Sequence, residues 1–327
     1  MSDRIAVVGP VNVDLFLRGS APLDPEALRS WVGPSELELV VAGSIGYTVQ
    51  VLARLGHHVE VHSTVGSDAF GATLRRGLAD RGLDVDHLVT ADGETAIGIY
   101  MLLFGGHKRP LTYRLPGFDP WPDPPAVLRP GVPAPRLVHS GGLLHFPTMW
   151  HRGLAGVLRD ARAAGSLTSI DPQFPLVDMP APWLPHAADV VAEADVLLCD
   201  EQEARMLFDV PTAEAALAPA HAAGPRIVAI KQGADGALLS DGECVVAQPA
   251  VPVPDELVRE AVGAGDAFDA GFLDSLLRGA GIEEAGRFAT ATAALSLGGR
   301  GGAERVGGRA EVEATLDRVP PARVTTG

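Results

Sequence analysis

The sequence predicts an α/β fold: a mostly parallel central sheet with helices on both faces and a small β-sheet lid. Three observations carry this. Short apolar, β-branched runs alternate with helical patterns between residues 5 and 297, as parallel strands joined by crossover helices do. Glycine or polar residues follow those runs, at the strand ends where open α/β sheets bind ligands. Two β-rich inserts, 15–41 and 96–114, interrupt the alternation and are assigned to the lid. The 327 residues suit one large α/β domain or two small ones, and we read 1–327 as one.

Composition excludes several classes. The formal net charge is -15, so a nucleic-acid partner is not expected. Lys108 and Lys231 are the sole lysines, and neither stands in the Gly-Lys-Ser/Thr of a Walker loop. Cys199 and Cys244 form neither metal spacing nor a disulfide framework, which suggests a reduced cytoplasm. No apolar run is long enough to span a bilayer, and Met1-Ser2-Asp3-Arg4 leads straight into a strand, so neither membrane insertion nor a signal peptide is expected.

Ile5-Ala6-Val7-Val8-Gly9 is the first buried strand. Asn12 and Asp14 follow it, two apart, and on extended chain they point the same way, an amide and a carboxylate suited to hydroxyls or to a loop turn. Leu37-Glu38-Leu39-Val40-Val41 is a lid strand. Ala42-Gly43-Ser44-Ile45-Gly46-Tyr47 then enters a helix over 49–55. That stretch is close to the G-x-S-x-G elbow of hydrolases, with Ser44 as nucleophile, although Ala42 breaks the pattern. An alternating strand covers 59–66, and Asp68 caps a helix running to 81. Two β-rich runs flank Gly105-Gly106 as a hairpin. His107, Lys108 and Arg109 at its turn suit either a second phosphate on the substrate or a solvated edge.

Further strands cover 136–140, 167–170, 196–199 and 227–231, with a helix over 151–164 between the first two. Asp200 and Glu203 open a helix; carboxylates three apart suit waters around magnesium, or simply a positive helix end. Gly233 and Gly236 bound a turn. Residues 263–265, Gly-Ala-Gly, form a tight turn feeding a helix whose apolar residues Phe268, Phe272 and Leu276 lie four apart and which stops at Gly279. Unpartnered N–H groups at such a start make an anion site. Asp266 stands beside that anion, where a carboxylate either suits the positive helix end or takes a proton from an attacking hydroxyl. A last long helix covers 282–297, and its alanines leave room for a flat adenine.

Gly263-Ala264-Gly265-Asp266-Ala267-Phe268, then Ala270-Gly271-Phe272, resembles the C-terminal signature of the ribokinase-like (PfkB) carbohydrate kinases. The family lead-in is Asp-Thr-Thr; here it is Glu260-Ala261-Val262. The resemblance implies a three-layer α/β/α fold and an ATP-dependent kinase that phosphorylates a hydroxyl of a sugar or sugar-like molecule. It implies Asp266 as base, with the 263–265 amides holding the charge on the migrating phosphate. Asp14, with Asn12, would contact the sugar. Gly43 matches the family Gly-Gly-x-x-x-Asn, whereas Tyr47 replaces its asparagine, able to stack on a sugar or a base but not to copy an amide. Lys231, Gly233 and Gly236 would lie along the nucleotide, and Glu203, with Asp200 for the family asparagine, would serve Mg2+. Potassium, frequent near the family's Asp-Thr lead-in, is left open by Glu260 and Ala261. A homodimer through the lid is expected, as often in the family. A sugar and nucleotide sensor that has lost transfer, and a nucleoside kinase, are the alternatives.

Overall fold

The computed structural model describes residues 4–31, 36–103, 111–115, 125–145, 153–176, 178–259, 261–299 and 304–326. In chain order the strands are β1 (Arg4–Val8), β2 (Asn12–Arg18), β3 (Glu36–Ala42), β4 (His58–Gly66), β5 (Leu88–Ala91), β6 (Ile97–Leu102), β7 (Leu111–Leu115), β8 (Leu137–Gly141), β9 (Leu167–Asp171), β10 (Val196–Asp200), β11 (Ile227–Lys231), β12 (Ala237–Ser240), β13 (Cys244–Gln248) and β14 (Arg323–Thr326). The helices are α1 (Pro25–Ser30), α2 (Gly46–Arg54), α3 (Ala69–Ala79), α4 (Leu154–Ala163), α5 (Leu184–Val191), α6 (Glu201–Phe208), α7 (Ala213–Ala223), α8 (Ala264–Leu277), α9 (Ile282–Ser296) and α10 (Arg309–Thr315).

Ten strands form the main sheet in the order β14-β13-β12-β11-β10-β9-β8-β1-β4-β5. From β11 to β5 every pairing is parallel, and β12, β13 and β14 add an antiparallel edge. Strand β1 shows how the two faces are filled. Ile5 and Val7 join the apolar cluster that includes α2, α3, α8 and α9. Ala6 and Val8 join the cluster of α4, α5, α6 and α7. Side chains that alternate across a strand therefore feed two separate cores, which makes three layers.

Strand β4 corrects the expected one-sided alternation. Eight of its nine residues are buried. A strand inside a parallel sheet is covered on both faces, so its polar residues need internal partners. Glu60 accepts from Arg4 at 3.0 and 2.9 Å and from Arg129 at 2.6 Å.

The second sheet has four strands in the order β3-β2-β6-β7. It is mixed: β2 pairs antiparallel with β3 and parallel with β6. It begins at Asn12, three residues before the expected insert, so Asn12 and Asp14 lie within a strand of the small sheet rather than in a loop. The hairpin turn with Gly105, His107, Lys108 and Arg109 lies outside the described residues, as does Glu260. Asp68 caps α3, accepting from the Gly71 amide at 2.8 Å. Helix α8 is anchored at its far end. Buried Asp274 accepts from both guanidinium nitrogens of Arg309, at 2.8 and 2.5 Å, and lies 2.7 Å from His57 Nε2.

Candidate active site

The carboxyl ends of the central strands, the small sheet and the start of α8 enclose one cavity of about 910 Å3. That volume is ample for a small-molecule site. Asn12, Asp14, Gly43 and Tyr47 line it. So do Asp200, Glu203, Lys231, Gly233 and Gly236, and the whole run from Gly263 to Asp266. Residues separated by more than two hundred positions thus meet in one place.

Asp14 projects from β2 and is nearly fully buried. Asn12 Nδ2 donates to its Oδ1 at 2.6 Å, and the Tyr47 hydroxyl donates to its Oδ2 at 2.9 Å. Gly98, opposite on β6, leaves the space: a Cβ there would stand 2.3 Å from Asp14 Oδ1. Each carboxylate oxygen has further lone-pair capacity, so Asp14 is fixed in place and still able to accept from a bound hydroxyl. Tyr47 is 3% exposed. Its ring packs on Gly263 while the residue also lines the cavity.

Gly263 precedes α8 with φ of 83°, a conformation that a residue with a Cβ adopts at a cost. The turn delivers Asp266 into the first turn of α8, half-buried on the cavity wall. The Ala264 amide donates to the Ala261 carbonyl at 3.2 Å. Thr48 Oγ1 donates to Asp266 Oδ1 at 3.3 Å. Burial, with the negative charge of Asp171 nearby, pushes the Asp266 carboxyl up to about 7, against the opposing pull of Lys231 and Thr48. A carboxyl at that value is ionised for part of its time near neutrality and holds a proton well, as a general base must.

Behind the turn lies a buried group. Lys231 Nζ donates to Asp171 Oδ2 at 2.7 Å and to both oxygens of Asp269 at 3.0 and 2.9 Å. Lys231 therefore lines the cavity as part of an ion-paired cluster. Burial pushes the Asp269 carboxyl well up, while Asp171 stays low because Lys231 and the Asp269 hydrogen bond outweigh its burial. Asp200 and Glu203 cap α6 reciprocally. The Glu203 amide donates to Asp200 Oδ1 and the Asp200 amide to Glu203 Oε2, both at 2.7 Å. Burial and the charges of Asp171 and Asp200 push Glu203 well up.

Ser44, in the turn between β3 and α2, has its Oγ 2.7 Å from His145 Nδ1. Sequence reading missed this histidine, and it missed Asp269 and Thr48. Asp269 had a signal: it stands three residues after Asp266, which puts both on one side of a helix. His145 had none, since only the fold brings it to Ser44.

The sequence profile of the pfkB family carbohydrate kinases matches residues 3–306. The chain belongs to that family. Among relatives, an ATP-dependent ribose-1-phosphate kinase of Halopiger xanaduensis is 27% identical over 91% of this chain and 93% of its own. The fold matches Arabidopsis thaliana ribokinase complexed with ribose and ATP, with a TM-score of 0.78, 22% identity and coverage of 97% and 99% of the two chains. It also matches an E. coli protein named for ribokinase II, solved in complex with ATP and Mg2+, with a TM-score of 0.74, 18% identity and coverage of 96% and 99%. Within the pfkB family, then, this chain has the ribokinase fold and kinase relatives. Among the described residues no helix is long and apolar enough to cross a membrane.

Proposed function

We propose that this pfkB-family chain transfers the terminal phosphoryl group of ATP to a hydroxyl of a sugar or sugar-like molecule. One observation carries the reading. A half-buried carboxyl raised to about 7 stands one residue past the 263–265 turn, in the same cavity as the clamped Asp14. Asp14 and Asn12 hold the acceptor, Asp266 Oδ takes the proton from its attacking hydroxyl, and the 263–265 turn faces the migrating phosphate. The Ala264 amide reaches that phosphate by releasing the Ala261 carbonyl. Gly233 and Gly236 border the nucleotide.

The donor set fits a divalent cation. Asp200 and Glu203 line the cavity, and the ammonium of Lys231 is already paired with Asp171 and Asp269, so the Asp200 and Glu203 carboxyls are left for a cation and its waters. Glu203 and Asp200 would orient the waters of a bound magnesium ion, which would neutralise charge on the ATP phosphates. The small sheet, which lines one side of the cavity, would limit access of the water that competes as acceptor.

The test is a phosphorylation screen with MgATP across ribose, ribose 1-phosphate, a keto-sugar acid and a nucleoside. Asp266→Asn should retain ATP binding and reduce turnover by roughly 10²–10⁴-fold. Turnover within a few-fold of wild type removes Asp266 from the role of base. The engaged Ala264 amide favours a second reading, a sensor that binds both ligands without transfer. Calorimetry that detects sugar and ATP binding with no ADP formed selects it. The Ser44–His145 pair makes a hydrolase worth one assay: a fluorophosphonate that leaves Ser44 unlabelled disposes of it.

A further inference from the structure

Two adjacent residues at the start of α2 reach different parts of the cavity. The Tyr47 hydroxyl donates to Asp14 Oδ2 at 2.9 Å. The Tyr47 ring occupies the space beside Gly263, where a Cβ would come within 3.0, 3.1 and 3.2 Å of three ring carbons. Thr48 Oγ1 donates to Asp266 Oδ1. Tyr47 and Thr48 are 3% and 1% exposed. Asp14 belongs to the small sheet, and Asp266 belongs to a helix of the main body. One helix start therefore touches both carboxylates and the glycine turn between them.

We propose that Tyr47 and Thr48 are positioning residues that hold the Asp14 carboxylate, the Asp266 carboxylate and the Gly263 turn in one register. The proposal rests on the kinase reading, in which Asp14 holds the acceptor and Asp266 deprotonates it.

The physical reason is distance. Transfer is fast only when the attacking oxygen sits about 3–3.5 Å from phosphorus, and errors of about 1 Å cost heavily. Asp14 and Asp266 are 252 residues apart in the chain and sit on different elements, β2 and α8. Consecutive side chains on one helix tie the two together. Tyrosine suits the task because its phenol is long, flat and stiff, with a polar tip that reaches Asp14 while the ring fills the space beside Gly263. The departure from asparagine at 47 is thus a change of role: Tyr47 donates to the carboxylate that holds the acceptor.

Thr48 has a second consequence. The groups facing Asp266 are Asp171 from β9, Lys231 from β11, Asp269 from α8 itself and Thr48 from α2. Asp171 and Asp269 disfavour its charge, and Lys231 and Thr48 favour it. A hydroxyl that donates to the ionised form keeps the base available at lower pH.

The experiment is steady-state kinetics with MgATP and D-ribose, or whichever screened acceptor the wild type phosphorylates. Tyr47→Phe should raise the acceptor KM roughly tenfold and leave the ATP KM within about twofold. Thr48→Val should move the acid limb of kcat to higher pH, and Thr48→Ser should restore it. An unchanged acceptor KM in Tyr47→Phe overturns the role of Tyr47. An unmoved acid limb in Thr48→Val overturns that of Thr48. Should the wild type phosphorylate nothing, the kinase reading has failed, and the resting protein decides the positioning. The 13C signal of the Asp266 carboxyl, identified by its loss in Asp266→Asn, should then titrate higher in Thr48→Val but not in Thr48→Ser. Amide exchange at 263–265 should quicken in Tyr47→Leu but not in Tyr47→Phe. Absence of either change overturns the role of that residue.

Discussion

Asp266 imposes a cost on the folded protein that its proposed role explains. Burial and the Asp171 charge raise its carboxyl to about 7. A carboxyl raised in the folded state binds its proton more tightly there than in the unfolded chain, so ionising it destabilises the fold. That cost is complete above about pH 7 and is relieved as pH falls toward the ordinary carboxylate value of about 4. Asp266→Asn removes the charge. The variant should melt above wild type at pH 8, and the difference should shrink at pH 5, as followed by calorimetry. A variant that is more stable and far less active marks a residue kept for chemistry. Asp266 was legible in the sequence because turn, helix start and carboxylate are contiguous. Thr48 was not, because a threonine in a helix carries no sign of what lies across the cavity.

At the scale of elements, β9, β11 and α8 are tied together by one ammonium. Lys231→Met keeps much of the side-chain volume and leaves Asp171 and Asp269 buried without their cation. It should destabilise the protein by about 3–5 kcal/mol in denaturant unfolding, since a buried charge that loses its partner is not compensated. Lys231→Met combined with Asp269→Asn should recover part of the loss. The long periodic elements, α2, α8 and α9, were legible because their apolar spacing is that of a helix. Helices α5 and α7 were not. Leu184-Pro185 opens the first, and α7 is alanine-rich with Pro219 inside it, so neither shows a clean apolar stripe. The short strands β5, β13 and β14 likewise escaped, because strands of four or five residues are stabilised mainly by their neighbours.

At the scale of the molecule, the buried Glu60 joins three distant segments. Arg4 comes from β1, Arg129 precedes β8, and Arg4 also donates to the Pro133 carbonyl at 2.8 Å. Burial alone would raise the Glu60 carboxyl, but hydrogen bonds from His62, Arg4 and Arg129 hold it at about 2. A depressed carboxyl contributes stability above its ordinary value of 4.5, and that contribution is lost as pH falls from there toward 2. Glu60→Gln should therefore be less stable than wild type at pH 7, and its stability should fall less steeply between pH 4.5 and 2, read from urea midpoints. The sequence by itself determined the layered α/β architecture, the glycine turn with its aspartate, and the polar groups at strand ends. These depend on periodicity and on chemistry among near neighbours, which a linear text records. Only the tertiary structure decided that Tyr47 lies on Gly263, that Lys231 is held between Asp171 and Asp269, and that His145 meets Ser44. Such contacts join residues far apart in the chain, and packing alone selects them.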